Sequence, residues 1–463
     1  MEYLDSIATG RLIPKTFPSV NDQNKYRCSL GCVRGLHSFR VSPTDRSGQP
    51  ASRNPACKAF RGGQDYFEGA GAAFAEVIIR SFSGFSRDMA GQPSQAQSVA
   101  CNTSHPVTGM PPMNNEATSI LTKACLLRIR ELHFSRLKRL FANEDDAPCA
   151  FVLSGVSKGI EATLEDSAQS KMDEALLALA REAEALTDLT VFRPLVVEFG
   201  LYGVHFIDKI LGVDVFDLNG SWQVKLLNGR IGELMPPELH RNQVWILAQD
   251  LARAFVASGA TVPLFGVPTI SSALNVAVNL YGQEFLAAMI EEPERALHDL
   301  RIIKAVLCEL HRWYLANVPI EQLQPVVGAF RTQPPGFGQL CVCTTQLLSP
   351  ELYRDFVAPL DEQLLSVYPG GGMIHLCGKH SQHIPVWRGM RLLRSVQLND
   401  SAAEDLGTYF KELRPDQILC VTPCVGMPVE LIMAITGGKR VVIVADKVQV
   451  QQLIRNTCGY SLR

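Results

Sequence analysis

From residue 326 to the C-terminus the chain alternates short apolar runs with amphipathic stretches. The runs at 326–330, 339–343, 373–377, 393–398, 417–421 and 440–445 are rich in Val, Ile, Leu and Met. They do not alternate apolar with polar residues, so they read as strands buried on both faces, as in a parallel sheet. Between and after them, 350–367, 384–390, 402–413, 429–435 and 448–456 read as helices. Parallel strands need a crossover of a dozen or more residues, and a helix is the usual one. Repeated strand–helix units with a closing helix predict a (β/α)8 TIM barrel. An open doubly wound sheet is the second reading, but no Gly-rich dinucleotide fingerprint follows any strand.

The middle of the chain extends the pattern. Residues 116–141 show helical periodicity, with Leu121, Ala124, Cys125, Leu127, Ile129, Leu132 and Leu137 as the predicted apolar stripe. Residues 149–153 read as a strand, 167–186 as a helix, 191–199 as a strand interrupted by Pro194, 239–258 as a helix and 262–267 as a strand. Helices at 271–290 and 293–315 follow, the second with Pro293 in its first turn.

The first 112 residues differ in kind. They hold 12 Lys+Arg and 8 Asp+Glu, a net of +4, so the other 351 residues carry a net of −6 within the total of −2. They are rich in Gly, Ser, Pro, Arg and Gln and show little periodicity, which predicts a largely disordered extension before a barrel domain at 113–463. As an alternative, Met110 or Met113, just before the first strong helix, is the true start of the protein and the preceding segment is not a functional part of it. Cys28, Cys32, Cys57 and Cys101 do not have zinc-finger spacing.

A net charge of −2 argues against a general nucleic-acid binder. No run of 18 apolar residues predicts a membrane span, and the N-terminus has no signal-peptide pattern. Thirteen cysteines without framework spacing read as reduced thiols of a cytoplasmic protein.

His375-Leu376-Cys377-Gly378 carries the clearest chemistry. Residues two apart on a strand share a face. His375 and Cys377 therefore point together, at the C-terminal end of a predicted barrel strand, where barrel sites lie. Imidazole and thiolate are zinc ligands, and a catalytic zinc takes three protein ligands plus an open position. Cys424, in the loop after 417–421, is the first choice for the third ligand; Asp446, Cys341 and Cys343 are the others. The bland alternative is a buried His and Cys with no metal. Cys420, Cys308 and Cys125 read as core thiols. His380 and His383 read as loop residues or as groups supporting the site. Tyr202, Trp222 and His205 lie in the long 200–238 segment, where Tyr202 and Trp222 with Asp446 and His380 are the candidate walls of a substrate pocket.

Three stretches, in this order, resemble the uroporphyrinogen decarboxylase-like superfamily, which includes zinc-dependent cobamide:thiol methyltransferases. They are Phe192-Arg193-Pro194 through Ile210-Leu211-Gly212-Val213 with Trp222 downstream, Leu347-Leu348-Ser349-Pro350-Glu351-Leu352-Tyr353-Arg354-Asp355-Phe356 with Pro359, and His375-Leu376-Cys377-Gly378. The resemblance spans residues 114–463 and again implies a (β/α)8 barrel. It also implies methyl transfer from a corrinoid, on a partner corrinoid protein, to a small-molecule thiol, with zinc held by His375, Cys377 and a later cysteine. In the family that later cysteine ends the eighth strand. Here 445–447 are Ala, Asp and Lys, and the nearest cysteine is Cys424. The decarboxylases carry an Arg-rich motif after the first strand, but Ser154 to Gly159 contain no Arg. A metal-free decarboxylase of a tetrapyrrole, drawing on Arg193, Lys158 and Arg388, is therefore the second reading. A non-catalytic corrinoid- or tetrapyrrole-binding protein is the third.

Overall fold

A computed structural model describes residues 115–445 and 449, apart from 145–149, 155, 161–162, 269 and 326–327. The predicted extension at 1–112, Asp446 and the predicted helix at 448–456 (but for Gln449) thus lie outside the described residues.

The strands are β1 Phe151–Leu153, β2 Val156–Ile160, β3 Leu195–Phe199, β4 Val215–Leu218, β5 Ser221–Val224, β6 Leu264–Gly266, β7 Leu323–Gln324, β8 Gly338–Cys341, β9 Gly372–Leu376, β10 Leu393–Leu398, β11 Ile418–Val421 and β12 Val441–Val444. Six of them form one sheet in the order β1-β12-β11-β10-β9-β8, and four form another in the order β2-β3-β6-β7. Every pairing within both is parallel. β1 and β2 are successive parts of one chain run, and a parallel bridge between Leu153 and Phe192 carries the ladder from one sheet into the next. The first strand thus pairs with the last, while consecutive strands lie side by side. That order is TIM-like, and a doubly wound sheet with a reversal in strand order does not produce it. The ladder is not continuous between β7 and β8.

Burial explains the apolar runs. Every residue of β8, β9, β11 and β12 is buried, since helices cover the outer face and side chains fill the inner one. Among the described residues no helix is long and apolar enough to cross a membrane.

Local chemistry moves several boundaries. The predicted stripe at 116–141 is displaced: Ala124 and Cys125 are exposed, whereas Leu126, Arg130, His133, Phe134, Leu137 and Phe141 face inward. The stripe includes a charge because Arg130 Nη1 donates to the carbonyls of Thr261 (2.6 Å) and Val262 (3.0 Å), just before β6. The predicted helix at 271–290 is two, Ala273–Tyr281 and Glu284–Glu291, divided at Gly282 with φ +72°. Of the predicted strand at 326–330, residues 326–327 lie outside the described residues and 328–330 form no strand. β7 lies earlier, at Leu323–Gln324, and Ala329–Arg331 form a 3-10 turn. The helix after Ser349 widens into a π turn at Tyr353–Val357, just before Pro359, which has no N–H to give the regular ladder. The β4–β5 hairpin is absent from the sequence reading. Its turn, Asn219-Gly220, has φ of 57° and 77°, the positive-φ pair that such two-residue turns require.

Candidate functional site

β8 and β9 meet in register, with Gly338 opposite Gly372 and Cys341 opposite His375. His375 is in turn opposite Gln397 of β10, and Gln397 opposite Cys420 of β11. Neighbours in register point to the same side of a sheet, so these four side chains form one inward row. The two glycines permit it. A Cβ on Gly372 would collide with the Gly338 carbonyl, and one on Gly338 with the Tyr368 ring.

The row gathers a soft donor set. One ligand atom each from Cys341, Cys343 and His375 lie within 4.8 Å of one another, and all three residues are buried. The Cys341 and Cys343 sulfurs are 3.5 Å apart. Cys343 belongs to this group because β8 ends at Cys341 and the chain turns into a 3-10 helix, Cys343–Leu347, which carries residue 343 back over the strand end. Cys377, just past β9, places its sulfur 2.7 Å from that of Cys343, as the S–H donor. It is half-buried, unlike the other three.

Each donor is held by a neighbour. His375 Nδ1 lies 2.9 Å from Gln397 Oε1. An amide oxygen only accepts, so Nδ1 carries the hydrogen and the ring's lone pair sits at Nε2. Asn275, on the Ala273–Tyr281 helix, uses both ends of its amide. Nδ2 approaches the Cys341 sulfur at 3.6 Å, and Oδ1 accepts from the Thr344 amide at 3.0 Å. That helix is fixed by Ser272, whose Oγ accepts from the Asn275 amide.

His380 and His383 support the turn rather than join the donors. His380 Nε2 faces the Cys343 carbonyl at 3.1 Å and its Nδ1 faces that of Gly378 at 2.6 Å. His383 Nε2 faces the Thr345 carbonyl at 2.8 Å. Burial pushes both histidines below the usual imidazole range. The neutral His380 ring donates one N–H at a time, so it pins one of its two carbonyls at any moment. Cys420 is buried in the inward row, where burial raises its thiol to about 12.

The other residues singled out from sequence lie apart. Cys424 follows β11 and points its sulfur toward the Asp400 carbonyl, 3.9 Å away; no described group of converging metal donors contains it. Tyr202, after β3, and Trp222, in the β4–β5 hairpin, meet edge to face with ring centroids 5.1 Å apart. Arg193 precedes β3, with its guanidinium 3.5 Å from Asp188. Arg388 is exposed on the Ile384–Gly389 helix, and its carbonyl accepts from Arg414. These cations do not converge on the thiol row. The Cys341/Cys343 pair was legible as two cysteines at strand spacing. What the sequence could not rank was their distance from His375, because strand neighbours are set only by folding.

No family model matches the sequence, and no curated protein matches it. Among solved structures, a methyltransferase from Methanosarcina mazei superimposes with a TM-score of 0.49 at 13% identity, over 70% of this chain and 97% of that one.

Proposed function

We propose that this chain is a (β/α)8-barrel transferase that moves a methyl or related alkyl group from a corrinoid to a small thiol, with zinc held by Cys341, Cys343 and His375. The observation that carries the reading is the convergence of those three donors within 4.8 Å. The donor set fits the metal. Tetrahedral zinc with bonds of about 2.3 Å to sulfur places two thiolates roughly 3.8 Å apart, and Cys341 and Cys343 stand at 3.5 Å. His375 presents a lone pair with its other nitrogen tied to Gln397, the outer-shell arrangement that orients a ligating histidine. The sequence resemblance supplies the reaction class.

Zinc in this site would lower the pKa of an acceptor thiol, so that thiolate is present at neutral pH. The chain's own residues do the rest. Asn275 fixes the Cys341 sulfur and the turn that bears Cys343. Cys377 places its sulfur beside that of Cys343 at the mouth of β9. The row lies at the C-terminal strand ends, the end at which barrel chemistry takes place.

The ligand set inferred from sequence, His375 with Cys377 and Cys424, differs in its two thiols. Metal analysis separates the two sets. Anaerobically purified protein should hold about one zinc per chain. Cys343→Ala should lose it, and Cys424→Ala should keep it. Zinc absent from the wild-type protein sinks the reading.

A further inference from the structure

A second titratable group lies past the C-terminal end of a strand in the other sheet. His205 lies at the exit of β3, and its Nδ1 is 2.7 Å from Asp208 Oδ2. Asp208 is completely buried, and the same oxygen accepts from Asn279 Nδ2 at 2.8 Å. Its other oxygen, Oδ1, has no hydrogen-bond partner. Burial pushes the Asp208 carboxyl up, and the His205 and Asn279 hydrogen bonds pull it back toward the ionised form.

The ring differs from the other histidines around the site. His375, His380 and His383 each spend a nitrogen on the thiol row or on the turn that supports it. His205 spends only Nδ1, and no described residue hydrogen-bonds its Nε2. A histidine held at Nδ1 by a buried carboxylate, with Nε2 bare, is the arrangement of a general base. Another His–Asp pair, His298 with Asp299, is not of this kind, because Asp299 is committed to the backbone amides of Gly232 and Leu234.

One helix ties His205 to the thiol row. The Ala273–Tyr281 helix packs on both the Phe206–Ile210 helix and the Cys343–Leu347 turn. Its Asn279 holds Asp208, and its Asn275, one turn earlier and about 6 Å away, holds Cys341 and Thr344. The loop that delivers His205 is strained: Tyr202 has φ 55° and Gly203 φ 54°, with the Trp222 indole against Gly203. Tyr202 is not a glycine, and a left-handed conformation there persists only because the surroundings hold it.

We propose that His205 is the general base for the acceptor thiol, which deepens the thiol-alkylation reading and rests on it. The S–H bond breaks and its proton goes to His205 Nε2. The sulfur pair forms the S–C bond, and the carbon–cobalt bond of the methylated corrinoid breaks with its pair left on cobalt. Asp208 is a positioning residue that keeps hydrogen on Nδ1 and offsets the charge of the imidazolium.

The test uses the zinc-loaded full chain, methylcobalamin as donor and two thiols, followed anaerobically by the absorbance of cob(I)alamin. 2-Mercaptoethanol is protonated in neutral solution and must hand its proton to a base as it binds; 4-nitrothiophenol is already ionised and brings none. His205→Gln should keep its zinc, lose about 100-fold in kcat/KM with 2-mercaptoethanol, and stay within about threefold of wild type with 4-nitrothiophenol. Asp208→Asn preserves volume and keeps an oxygen for His205 Nδ1–H and for Asn279, but removes the charge that offsets the imidazolium. It should reproduce the dependence on the thiol even where His205→Gln does not fold. Equal losses with both thiols, or no loss in either variant, overturn the inference and leave the transferase reading standing. Wild-type protein that carries zinc but forms no cob(I)alamin from either thiol overturns both.

Discussion

Asp361 lies buried under the π turn, and its environment makes a sharp statement about pH. Its Oδ2 accepts from the Tyr353 hydroxyl at 3.1 Å, that hydroxyl accepts from Trp387 Nε1 at 2.9 Å, and Oδ1 has no partner. Burial raises the carboxyl from 3.8 to about 7, against the opposing pull of the Tyr353 hydrogen bond. A carboxyl raised in the folded state binds its proton more tightly there than in the unfolded chain. Its contribution to stability is therefore whole below about pH 4 and is lost as pH rises through 7. Between pH 5 and pH 7 the folded group stays protonated while the unfolded one is ionised. Those two pH units correspond to about 2.7 kcal/mol. Asp361→Asn keeps the shape and the acceptor for Tyr353 but cannot ionise. Urea unfolding of both proteins at pH 5 and pH 8 should show the stability difference shifting by about 2.7 kcal/mol in favour of the variant at the higher pH. Other titrating groups are common to both proteins and cancel. A shift below about 0.5 kcal/mol would refute the argument, since it would mean that Asp361 ionises in the folded protein without penalty.

Two further outcomes follow from the thiol row. Gln397→Leu removes the acceptor of His375 Nδ1–H and should weaken zinc binding by about 10- to 100-fold, measured by competition with a chromophoric chelator; unchanged affinity would remove Gln397 from the site. Gly372→Ala puts a methyl group against the Gly338 carbonyl and the Leu365 side chain. Backbone cannot move aside as a flexible side chain can, so the variant should lose about 3 kcal/mol or more and melt well below wild type by circular dichroism, and a melting point within a degree or two of wild type would show that β8 and β9 need no close approach there.

The parallel pairing of the C-terminal strands was readable from the chain alone. Val-, Ile- and Leu-rich runs such as Val441–Val444 are continuous because both faces are covered, and each run and its following helix are local in sequence. His375 and Cys377 could be placed together because strand alternation is also local. The same local rules failed where a distant partner changed the outcome. Arg130 sits in a buried stripe because carbonyls of residues 261 and 262 receive it. Residues 328–330 of the apolar run at 326–330 form no strand, and the pairing with β6 is made by Leu323–Gln324. Cys341 and Cys343 looked no different from any two cysteines at strand spacing.

What the sequence by itself determined is therefore most of the parallel strands with the helices between them, and the chemical types at their ends: soft donors at the C-terminal ends of apolar strands, and no arginine cluster after the first. Only the tertiary structure decided which donors meet. Register across β8, β9 and β10 brings Cys341, His375 and Gln397 level with one another, and Asn279 joins Asp208 across 71 residues of sequence. Those contacts depend on how strands slide past each other and on where helices dock. Both are settled by burial summed over the whole core, of which a short motif holds only a small part.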